Sequence, residues 1–166
     1  MGQDMTPALL AIFAVTFVLG YWIRQRQRAR VTAIDPKSGE WQAAVSRARA
    51  TLPLLRELFP AHPEQTLVKV AVATASGSRE HVWAQLSELG PETLTATIVT
   101  PVLDPPSGAE KGLVFSLAEL EDWHVLLPDG RIRGSFTTQA QIQVCRATGQ
   151  RIPRELRGFE GRLVDA

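Results

Sequence analysis

The side chains best suited to chemistry fall in two short stretches about forty residues apart. Glu80-His81-Val82-Trp83 carries an imidazole and an indole two positions apart, so on a strand the two share one face. Glu121-Asp122-Trp123-His124 carries a carboxylate, a second indole and a second imidazole. If the strands bearing them pair, His81 meets Asp122, and Trp83, Trp123 and His124 flank the contact as a polar pocket with aromatic walls. Such a group can bind a small polar ligand or act as an acid–base pair. The same residues also arise where a histidine satisfies a carboxylate and tryptophans fill a core, with no chemistry at all. The five residues are expected as a binding site, the tryptophans doubling as core. Catalysis by His81 with Asp122 is the alternative.

Other chemistry is poorly supplied. The three histidines, His62, His81 and His124, have no ligand-spacing motif, so neither a metal nor another cofactor is expected. Cys145 is the single cysteine, which excludes an intrachain disulfide; beyond Arg146 nothing near it would activate a thiol. Ser76-Gly77-Ser78 reads as a turn, because a nucleophile elbow needs glycines on both sides of its serine. Arg151, Arg154 and Arg157 recur every third residue as a solvated face, or one turned to anionic lipid.

The elements that position these residues follow from periodicity. From Trp41, apolar side chains recur at Val45, Ala48, Leu52, Leu55 and Leu58/Phe59, one face of a helical segment that Pro53 kinks or splits, with Thr51 a cap for the second half. Phe59-Pro60 and His62-Pro63 end it. The period then becomes two: Val68, Val70 and Val72; Val82, Ala84 and Leu86; Leu94, Ala96 and Ile98. A proline-rich loop at 101–108 precedes a fourth strand at 113–117 and a fifth starting at Asp122-Trp123. Pro128-Asp129-Gly130 signals a hairpin returning through Ile132 to Phe136. Residues 137–147 fit strand and helix alike. The fold class is therefore α+β: one helical segment on a mainly antiparallel sheet of five or six strands.

Taken in order, Ala48-Arg49-Ala50-Thr51-Leu52, Val68-Lys69, Glu80 to Trp83, Asp122-Trp123 and Gly134-Ser135-Phe136-Thr137 resemble the small bacterial YegJ-type domain of unknown function. The match runs from about Trp41 to Val144. Two positions depart from that pattern: Lys111-Gly112-Leu113 lacks its Gly-Asp step, and Phe136 stands for its tyrosine, so a phenolic hydroxyl there is lost. The resemblance implies a domain assignment and no reaction.

Composition sets the rest. Apolar content of 45% and charged content of 21% are those of a globular chain. Met5 to Ile23 is nineteen residues without a charge, which as a helix spans roughly 28 Å, enough for a bilayer's hydrocarbon core. Tyr21 and Trp22 suit its headgroup boundary. Arg24, Arg26, Arg28 and Arg30 follow at once, a basic flank that stays cytoplasmic, whereas a cleaved signal needs its charge in front. Residues 31–166 hold fourteen basic and sixteen acidic side chains, a net of −2, which offers nucleic acid no footprint.

The chain thus reads as a transmembrane helix at 5–23, a basic flank and linker at 24–40, a soluble domain at 41–147 and a loosely packed tail at 148–166. It is expected in the inner membrane with its N-terminus outside and its domain cytoplasmic, binding an unidentified protein or small molecule without catalysis. An immunity-type, toxin-neutralising protein is a third reading, from size and fold class alone.

Overall fold

The computed structural model describes residues 34–74, 77–100 and 111–164. The anchor at 5–23, the arginines from Arg24 to Arg30, Ser76 and the proline-rich loop lie outside them. Among the described residues no helix is long and apolar enough to cross a membrane.

Helix α1 (Gly39–Ala50) starts where Ser38 accepts a hydrogen bond from Trp41 N–H at 3.2 Å. Its apolar face, Trp41, Ala44, Val45 and Ala48, is buried as the spacing requires. The helical segment splits at Thr51, and α2 (Leu52–Leu58) carries Pro53 in its first turn, where a missing N–H costs nothing. Thr51 makes no side-chain cap; its hydroxyl turns back to Arg47 O and Ala48 O at 2.9 and 3.1 Å. Arg49 ties α1 to the carbonyls of Leu120 and Ala118, and Arg56 ties α2 to Gly90 O.

Among the described residues the sheet has seven strands, β1 (Thr66–Ala73), β2 (Arg79–Leu89), β3 (Thr93–Ile98), β4 (Leu113–Ser116), β5 (Leu120–Leu126), β6 (Ile132–Gly134) and β7 (Leu163–Val164), in the order β4-β3-β2-β1-β5-β6-β7. All pairings are antiparallel except β6 with β7. Val68, Val70, Val82, Ala84, Leu94, Ala96, Trp123 and Val125 share a core with Ala44, Ala48 and Leu55 of the helices.

Two expectations need correction. Five or six strands become seven among the described residues: within the stretch expected as a loosely packed tail, a helical turn, α4 (Arg154–Arg157), buries Leu156, and β7 pairs with β6. The strand expected to run to Phe136 stops at Gly134, and residues 136–147 are helix α3 (Phe136–Ala147). Its inner face holds Thr137, Thr138 and Gln141 beside Phe136, Ile142 and Cys145, so polar residues on the buried side disguise the helical period.

Candidate functional site

Register gives the site its geometry. Lys69 on β1 lies opposite Trp83 on β2 and opposite Asp122 on β5, while Ala71 lies opposite His81 and Leu67 opposite His124. Directly opposed residues share a face, so Lys69, His81, Trp83, Asp122 and His124 stand together on the face away from Val68 and Val70. A bulge between Lys69 and Val70 turns one extra residue, Glu121, into the same neighbourhood.

The expected contact between His81 and Asp122 does not form. The Asp122 carboxylate is taken up by Trp123, Phe136 and Thr137, and across β1 His81 Nδ1 pairs instead with Glu121 Oε2 at 2.7 Å. This pair is partly open to solvent, with the His81 and Glu121 side chains 28% and 14% exposed. Trp41 packs edge-on against the His81 ring at 5.4 Å.

Asp122 is sealed and fully engaged. One carboxylate oxygen accepts from Trp123 N–H and Phe136 N–H at 2.8 and 3.0 Å; the other accepts from Thr137 N–H and Thr137 O–H at 2.7 and 2.6 Å. Two of those amides open helix α3, where a negative charge also complements the helix dipole. Burial pushes the Asp122 pKa up to about 6 against the pull of these hydrogen bonds and of Lys69. Four donors on two oxygens suit the ionised form, which still predominates at pH 7.

Lys69 was not foreseen as a site residue. It is 7% exposed, donates to Thr137 Oγ1 at 3.4 Å, and sets its ammonium 4.5 Å from the Trp41 ring centre and 5.5 Å from that of Trp83. These are cation–π distances. Burial lowers its pKa, opposed by the charges of Asp122 and Glu121. The available signal was a lone lysine among valines on a strand whose other outward residues, Leu67 and Ala71, are apolar.

The two tryptophans part company. Trp123 is fully buried in the core, its indole N–H donating to Ala48 O and Thr51 Oγ1 at 3.0 and 3.2 Å. Trp83 is on the opposite face, half-buried, 4.8 Å from the His124 ring. His124 meets Ser135 Oγ through Nδ1 at 3.1 Å, and Phe159 lies 6.1 Å from its ring. Burial, aided by Arg162, holds the His124 pKa down at about 4. The structure therefore brings Trp83 and His124 together, sets His81 beside Glu121 near them, encloses Asp122 beneath, and assigns Trp123 to the core. Comparison with protein-family models, with curated proteins and with solved structures finds no match to this chain.

Proposed function

We propose that this chain is a non-catalytic binding module, tethered to the inner membrane by a helix at 5–23 with its soluble domain on the cytoplasmic side, and that its ligand meets the face carrying Trp83, His81 and His124. The observation that carries the reading is the half-buried Trp83 on a polar sheet face, beside two imidazoles, with the Lys69 ammonium beneath its ring. An indole so placed offers apolar area with polar groups at its rim, the composition of binding hot spots. Acid–base chemistry by His81 with Asp122 loses support, since the carboxylate is enclosed and committed to four donors.

Kinship with YegJ-type domains belongs to the same proposal. What favours it is that its separated motif elements touch one another: Ala48 and Thr51 hold Trp123, Lys69 reaches Thr137, and Asp122 caps Phe136 and Thr137.

Cross-linked capture of partners from membranes by the full-length chain tests the reading. His81→Gln and Trp83→Leu are expected to melt near wild type and to lose the captured species. Trp123→Ala is expected to lose about 3–5 kcal/mol through its core cavity and to fail by unfolding. Folded His81→Gln and Trp83→Leu proteins that capture like wild type would sink the assignment of this face.

A further inference from the structure

The chain after α3 does more than close the sheet. It is exposed from Arg146 to Arg151 and turns at Gly149, φ +68°, before returning as α4 and β7. Few bonds hold the return. Leu156 is buried, Ile132 N–H donates to Arg162 O at 2.8 Å, Arg162 Nε donates to Gly130 O at 2.8 Å, and Arg146 pairs with Glu160 at 2.8 Å. β7 contributes two residues of parallel pairing. The Phe159 ring centre then lies 6.1 Å from that of His124, tilted by 56°. The polar bonds run to β6, its turn and α3, so the strands bearing Lys69 and His81 keep their pairing if the segment lifts.

We propose that residues 153–164 are a releasable strap beside His124 at one end of the candidate site, hinged at residues 148–153, and that lifting it opens the imidazole to ligand. The proposal rests on the reading of this face as the binding surface and supplies its regulation. A segment with one buried side chain, Leu156, and a two-residue strand belongs to the low-stability end of a fold, where local opening precedes global unfolding.

His124 couples the strap to pH. Around its ring stand Trp83 from β2, Leu67 from β1, Gly134 from β6, Ser135 from the turn before α3 and Phe159 from the strap. None of these carries a charge; Arg162, on the strap itself, is the charge that acts on the imidazole. With the strap down the ring is held neutral. Lifting removes both Phe159 and Arg162, so the open form takes up a proton more readily and acidification favours it.

Hydrogen–deuterium exchange on the full chain in detergent micelles tests this at pH 7.5 and 4.5, with rates corrected for intrinsic pH dependence. Amides of 156–164 are expected to exchange at least roughly tenfold faster than those of β1 and β5 at the higher pH. That ratio should widen by roughly tenfold or more at the lower pH, and His124→Gln should abolish the widening. Strap and core amides exchanging together at both pH values overturn the proposal, as does a widening that survives His124→Gln. Accessibility is read at neutral pH with diethyl pyrocarbonate, which acylates exposed imidazole. Phe159→Ala should raise acylation of His124 several-fold while His81 reacts as before. An unreactive His124 in that variant shows that the strap is not what covers it. Neither readout needs the partner, so failure here and failure of the binding assignment are separate results.

Discussion

Asp122 and His124, two residues apart on β5, have been displaced in opposite directions. Burial raises Asp122 from 3.8 to about 6 and lowers His124 from 6.5 to about 4. The contribution of Asp122 to stability is fully present below its unfolded value and is lost as pH rises through 6. That of His124 is present above 6.5 and is lost as pH falls through 4. Each displacement is worth about 3 kcal/mol, so between pH 4 and 6.5 the two slopes nearly cancel. Urea titrations across this range should give a nearly flat wild-type profile. His124→Gln should gain stability as pH falls, and Asp122→Asn should lose it. Parallel profiles for all three proteins would show that these two groups do not govern the acid range.

At the scale of elements, the joint between β6 and α3 is tightly constrained. Gly134 has φ +84°, and a Cβ there would lie 2.2 Å from Trp123 O and 2.8 Å from its ring. Gly134→Ala should therefore cost more than about 3 kcal/mol, because backbone strain and a clash with the largest core residue add. Ser135, next in line, also takes the left-handed region at φ +57°. Ser135→Gly should stay within about 1 kcal/mol of wild type, since relieved strain offsets the lost bond to His124. Melts of the two variants separate these effects, and a stable Gly134→Ala protein would mean that this close approach is wrong. Elements were legible where large apolar side chains recur at the element's own period. Val68-Val70-Val72 and Leu94-Ala96-Ile98 announce strands, and Trp41-Val45-Ala48 announces a helix. α3 was not legible because it buries threonine and glutamine, and β7 was not because two residues carry no pattern.

For the whole molecule, what sequence periodicity lacks is lateral order. His81 and Asp122 were rightly placed on strands, but nothing in either stretch tells that β1 lies between them. That insertion brings Lys69 to the centre of the face, and the bulge beside it turns Glu121 rather than Asp122 toward His81. The tether is tested at the same scale. Deleting residues 1–30 should convert a membrane-pelleting protein into a soluble one, and a phosphatase fused after Ala166 should stay inactive because of the basic flank. Membrane association that survives both truncation and a high-salt wash would reject the helix at 5–23 as the anchor.

The central position of β1 also dictates an order of events in time. β1 to β4 pair with successive neighbours, whereas β5 follows β4 in the chain but pairs with β1 at the other end of that meander. The Trp123 indole then closes on Ala48 and Thr51, 75 and 72 positions away. Closing so long a loop costs entropy before any contact rewards it, so docking of β5 against α1 falls late in folding. The residue that anchors the finished core is thereby among the last to find its place.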